Sequence, residues 1–223
     1  MTDEVDGILR RAEEVLLSAY KGLEMMRDPS GATKNLGLRN VLTFARSVTF
    51  VLQNLKGKHE AFEGWYADKQ NQMKDDPVFS YFRDARNNLE KQGKLEAATT
   101  ATVESLGPKE LRALEQTKPQ GATGMFIGDQ LGGSGWKVEL PNGQTEKFYV
   151  DMNDGNISVE QTFSGKLADK WLESDERSTE QLAEYVLEQL SEMVADAFKT
   201  FTSKDTMQPI AGKRLPHFIR VIK

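Results

Sequence analysis

The chain is predicted to be α+β and mainly α, with an up-and-down helical core and an antiparallel β-meander inserted before the last long helix. Three observations carry this. Apolar residues recur at three- and four-residue steps through the first ninety positions and again from 182 to 201. Period-two alternation is confined to the stretch between them, and two strong hairpin signals, Asn142-Gly143 and Asp154-Gly155, fall inside that stretch. At 223 residues the chain can bury one sizeable core and has little left for another. The boundaries expected are a helical core over 1–93, a loop and β-meander insertion over 94–165, a final helix completing the core over 166–202, and a basic, apolar C-terminal tail over 203–223.

The first helix is read from Val5, Ile8, Leu9, Ala12, Val15, Leu16, Ala19, Tyr20 and Leu23, an apolar stripe separated by Arg10, Arg11, Glu13, Glu14 and Lys21. Asp28-Pro29-Ser30-Gly31 breaks the pattern. Leu38, Val41, Leu42, Ala45, Val48, Leu52 and Leu55 define a second helix ending near Gly57, widened by Phe44 and Val51 so that it is buried on two sides. Phe62, Trp65, Tyr66 and Met73 give a shorter third helix. Asp76-Pro77 supplies a cap followed by proline at the first helical position, and Val78, Phe82, Ala85 and Leu89 line a fourth helix that stops by Gly93.

Beyond a Thr-rich stretch over 95–106 and a short helix over 108–116, three strands are expected. They carry Trp136, Val138 and Leu140, then Phe148 and Val150, then Ile157 and Val159, with a fourth if 124–128 pairs with them. Ser178 and Gln181 form a capping box before the last helix, whose face runs through Leu182, Val186, Leu190, Val194, Ala197, Phe198 and Phe201.

Composition narrows the chemistry. Hydrophobic residues at 38% with 28% charged residues indicate a chain that folds rather than stays disordered. Having no Cys removes thiolate metal sites and cysteine nucleophiles, and with only His59 and His217 few triads or metal sites can be built. No cofactor and no metal are expected. The glycine-rich stretch 128–135 lacks the Gly-Lys-Ser/Thr ending of a phosphate loop and precedes a strand. In the stretch from Asp151 to Asn156, the glycine falls one place early for a calcium loop, and Thr162 stands where a bidentate Glu is needed. The acidic start, Met1-Thr2-Asp3-Glu4, is unlike a secretory leader, and no stretch approaches a membrane span, so a cytoplasmic location is expected.

The segment from Asp76 to Gly93 carries Arg86-Asn87 near the end of its helix. This resembles the signature of HEPN-like proteins, a helical family with many metal-independent ribonucleases and nucleotide-handling partners in bacterial stress and defence systems. Gly132-Gly133-Ser134-Gly135-Trp136 and Glu146-Lys147-Phe148-Tyr149-Val150 resemble a bacterial group that joins such a core to a β-hairpin. The resemblance implies a homodimer, with Arg86 and Asn87 as candidate catalytic or binding residues. Lys91 occupies the position where active members hold histidine. A protonated lysine can clamp charge but is no ready base at neutral pH. The resemblance therefore implies a non-catalytic binding module, the alternative being a weak metal-independent ribonuclease or nucleotide-handling toxin-like protein that uses Arg86, Asn87 and Lys91. A purely structural reading is that Arg86 pairs with Glu90 one turn on, with Asn87 capping or bridging helices.

Net charge is −5 overall, a mild mark against general nucleic-acid binding. The last 21 residues hold five cations against one acid, net +4, which leaves −9 in the body. Lys213, Arg214 and Arg220, interleaved with apolar residues, are candidate contacts for a protein partner or RNA. On the last helix Glu180, Glu184, Glu188, Glu192 and Asp196 form one like-charged row, which asks for a positive partner or full hydration, and the tail is a candidate partner.

Overall fold

The computed structural model describes residues 2–28, 31–103, 108–127, 134–150, 157–173, 175–202, 208–210 and 213–215. Helices α1 (Thr2–Met26) and α2 (Gly31–Leu52) form an antiparallel pair, and a 3-10 turn over Gln53–Leu55 extends the second. Their stripes meet as the periodicity requires: Leu9, Ala12, Leu16 and Ala19 from α1 and Leu38, Val41, Val48 and Leu52 from α2 are fully buried. The seam is close enough to need glycine. A Cβ on Gly37 would stand 2.5 Å from Gly22 O and 2.6 Å from Met26 N, backbone atoms that no rotamer change can move aside.

Helix α3 (Phe62–Asp75) follows, tied to the 3-10 turn by Gln53 Nε2 donating to Tyr66 Oη at 2.6 Å, with the Phe62 ring stacked on Tyr66 at 5.2 Å. Helix α4 (Pro77–Gln92) begins and ends where its signals place it. Asp76 Oδ1 accepts the N–H groups of Val78 at 2.7 Å and Phe79 at 3.3 Å, and Gly93 closes the helix in the left-handed conformation, its N–H donating to Leu89 O.

The middle of the chain departs from the expected strand order. Strands β2 (Ala122–Phe126), β3 (Gly135–Glu139) and β4 (Thr145–Tyr149) make a three-stranded antiparallel meander, joined between β3 and β4 by the turn at Asn142-Gly143. The strand carrying Ile157 and Val159 does not continue it. This strand, β5 (Ile157–Phe163), pairs instead with β1 (Ala97–Val103), the Thr-rich stretch, in the register Ala97↔Phe163 to Val103↔Ile157. The reason lies at its C-terminal end. The Phe163 ring sits 4.3 Å from Tyr81 and 5.8 Å from Phe82, while buried Gln161 donates to Asn35 and accepts from Thr179. These contacts tie β5 to α2, α4 and the last helix, whereas every residue of β4 is exposed. The Asp154-Gly155 turn lies outside the described residues.

Helix α5 (Pro108–Gln116) precedes the meander, and α6 (Gly165–Trp171), which the sequence reading does not anticipate, follows it. Helix α7 (Thr179–Thr202) opens with the reciprocal capping box: Gln181 N–H donates to Ser178 Oγ at 3.2 Å and Ser178 N–H to Gln181 Oε1 at 2.9 Å. It packs against α1 and α2 through Leu182, Val186, Leu187, Leu190, Val194 and Phe198, closing one hydrophobic core. Near the end of the chain, β6 (Gln208–Ile210) pairs with β7 (Lys213–Leu215).

Candidate functional site

The site is built around the face of α2 turned away from α1. Here α2 presents Leu42, Ala45, Arg46 and Thr49, α3 presents Tyr66, Gln70, Met73 and Lys74, α4 presents Phe79, Phe82 and Arg83, and α7 presents Val186 and Leu190. Together they line a partly open cavity of about 140 Å³. The helical period dictates this mixture. Leu42 and Ala45 belong to the buried stripe, and Arg46 and Thr49 follow at its edge, so the cavity has an apolar floor and a cationic wall. A second cavity of about 120 Å³ shares Met73, Phe79 and Leu190 with it, and there Asp76 and Glu192 contribute the acids.

Arg46 is the unusual member. Its guanidinium lies 4.5 Å from the Phe50 ring centroid, and Nη1 donates to Thr49 Oγ1 at 3.2 Å, but no described carboxylate pairs with it. Burial pushes its pKa below the usual arginine value; Tyr66 opposes this and the nearby charges of Arg86 and Arg83 add to it, although an arginine stays protonated at neutral pH. Arg83 is compensated. Its Nε donates to Asp84 Oδ1 at 2.8 Å, and Asp84 also accepts from Trp171 Nε1 at 3.0 Å. Partial burial would raise the Asp84 pKa, but the hydrogen bonds from Arg83 and Trp171 outweigh it and hold the carboxyl below its ordinary range.

The residues singled out from the sequence fall beside this cavity. Arg86 Nη2 pairs with Glu90 at 2.5 Å, its Nη1 donates to Asn87 Oδ1 at 3.4 Å, and its guanidinium lies 5.7 Å from the Phe50 ring. Its Nε is buried and has no described hydrogen-bond partner. Lys91 is exposed on the last turn of α4. The other described candidate for acid–base work, His59, packs edge-on against Phe201 at 5.0 Å and accepts the Ala61 N–H at its Nδ1. Lys213 and Arg214 belong to β7, their side chains lie outside the described residues, and so does the whole of Arg220.

Among the described residues, both ends of the acidic row of α7 meet cations on other helices, and the side chains of the tail lie outside those residues. Arg27 at the end of α1 reaches both Glu180 at 2.9 Å and Glu184 at 3.1 Å, and Lys69 on α3 pairs with Asp196 at 2.8 Å. Partial burial opposes ionisation of Asp196, yet hydrogen bonds from Lys69 and Trp65 Nε1 prevail and keep its pKa below the ordinary carboxylate range. The row is therefore an inter-helix clamp at both ends. Among the described residues no helix is long and apolar enough to cross a membrane, and no group of three or more His, Cys, Asp or Glu is placed to hold a metal ion.

Residues 6–108 match a family model described as Bacteriophage lambda protein ea47, a region that runs from α1 to the start of α5 and includes Arg46, Arg83 and Arg86. In particular, the chain is similar to Protein ea47 of Escherichia phage lambda, with 36% identity over 67 residues, 30% of this chain and 16% of that protein. The matched stretch thus spans about a sixth of the relative's length. No solved structure matches the chain. These matches overturn the HEPN-like resemblance. Its residue signal has a local explanation: Arg86 is one half of a helical i,i+4 pair with Glu90, and Asn87 accepts from Arg86 itself. The implied homodimer had that resemblance as its only support.

Proposed function

We propose that this chain is a non-catalytic binding module whose ligand site is the cavity between α2, α3, α4 and α7. What supports the reading most is Arg46, a half-buried guanidinium with no described carboxylate partner at the edge of an apolar cavity. Taking a charge partly out of water is unfavourable unless a counter-charge is supplied, and a ligand is the natural source. In this reading Arg86 adds its charge beside Phe50, Asn87 steadies Arg86, and neither acts on a scissile bond. The helices of 1–93 and 166–202 form the scaffold, and 94–165 is an insertion within it. The similarity to a phage lambda protein favours a phage-related role.

Incubating the protein with mixed RNA in EDTA, beside an Arg86→Ala variant, tests the non-catalytic half of this reading. The expected result is no cleavage by either. Cleavage by the native chain that disappears in the variant overturns it in favour of a metal-independent ribonuclease.

A further inference from the structure

We infer that the cavity takes a small organic anion, a phosphate or carboxylate head on an apolar body about the size of one benzene ring, with Arg46 and Arg83 holding the head. This rests on the binding-module reading and specifies its ligand.

Charge, shape and hydrogen bonding point the same way. Arg46, Lys74 and Arg83 line the cavity, and among the described residues no acidic one does. Arg83 has Asp84, and the adjacent Arg86 has Glu90, whereas neither Arg46 nor Lys74 has a described carboxylate partner. Arg46 thus leaves a half-buried charge without a described carboxylate, and Arg83, bound to Asp84 through Nε, keeps Nη groups with no described partner, a requirement for several acceptor oxygens that a phosphate monoester, with close to two negative charges near neutral pH, meets. A carboxylate satisfies half of that requirement and suits the planar guanidinium fork. Of the five N–H donors of Arg46, one is used by Thr49 Oγ1 and no other described group takes the rest.

The interior is apolar. Leu42, Ala45, Phe79, Phe82, Val186 and Leu190 form it, and all but Phe79 are buried in the core. A volume of about 140 Å³ is close to the roughly 150 Å³ of an apolar cavity that admits benzene. The cavity is partly open to solvent, and its volume is larger than an inorganic anion needs. Phe50, 43% exposed beneath Arg46, fixes one face of the guanidinium and keeps water from it.

Titration calorimetry of the full chain with phenyl phosphate, inorganic phosphate and benzyl alcohol tests this, with Arg46→Gln and Arg83→Gln as variants checked for folding by circular dichroism. Saturable binding of phenyl phosphate is expected, with inorganic phosphate and benzyl alcohol each at least about ten-fold weaker. Each folded variant should lose about ten-fold in affinity for phenyl phosphate, and raised salt should weaken binding to the native chain. Benzyl alcohol binding as tightly as phenyl phosphate, or phenyl phosphate binding equally to both variants, overturns the anion assignment and leaves the cavity as a site for neutral ligands. No saturable binding of any of the three overturns the cavity as a ligand site altogether.

Discussion

The two sides of α2 are built on opposite terms. Toward α1 the helix is sealed by backbone against backbone at Gly22 and Gly37, with Leu38, Val41 and Val48 fully buried behind them. Toward α3 and α4 the same helix leaves a cavity of about 140 Å³ edged by Arg46, with Arg83 and Lys74 facing it. The first side brings the two backbones into close contact. The second gives up packing and sets like charges near one another, and both choices cost stability. The contrast separates what holds the protein together from what it is built to hold.

The sealed side should yield the largest effects. Leu16→Ala, fully buried in α1, should lower unfolding stability by about 3 kcal/mol, as deletion of a core leucine does. Gly37→Ala should lose about 2 kcal/mol, because the new Cβ meets backbone on α1 and forces the helices apart. Urea unfolding monitored by circular dichroism measures both. On the open side, Arg46→Met should be neutral or stabilising, by less than about 1 kcal/mol, since it removes a half-buried charge that no described carboxylate balances and keeps the apolar stem. A loss at Arg46→Met as large as that of Gly37→Ala would erase the distinction.

A smaller effect is set by pH. Asp84, Asp175 and Asp196 all have folded-state pKa values below their ordinary range. Partial burial works against ionisation at Asp84 and Asp196, and the hydrogen bonds to Arg83 and Trp171, and to Lys69 and Trp65, overcome it. At Asp175 the hydrogen bond from Arg177 is the leading cause. A depressed carboxylate contributes stability that is fully present above the unfolded pKa of about 3.9 and is lost as pH falls through the folded value. Melting temperature should therefore fall below about pH 4, and Asp196→Asn should make that fall shallower. An unchanged acid limb in Asp196→Asn would detach the clamp between α3 and α7 from the acid sensitivity.

The contrast also explains what could be read in advance. Local signals that act within a few residues were legible: the Asp76 cap, Gly93, the Ser178–Gln181 box and the Asn142-Gly143 turn are satisfied by neighbours along the chain. Strand pairing was less so, because β5 chooses β1 through Phe163 and Gln161, whose partners Tyr81, Asn35 and Thr179 are remote in sequence. The Arg86–Glu90 pair was legible as a helical step, and the Arg-Asn dipeptide misled as a family mark because two residues on a helix are too little to define one. Arg46 carried no motif at all. A single arginine after the apolar pair Phe44-Ala45 reads as an ordinary helix edge, and only the assembly of four helices shows that its charge faces a cavity. The cations of the acidic row were hidden in the same way, since Arg27 and Lys69 reach α7 across the fold.

The central claim is that Arg46 stands where an anion belongs, and linkage between binding and folding tests it most directly. The urea midpoint of the native chain and of Arg46→Met should be measured with and without phenyl phosphate at about a hundred times its dissociation constant for the native chain. The ligand should add about 2.7 kcal/mol to the native chain and much less to the variant. An equal gain in both, or no gain in the native chain, would contradict the account.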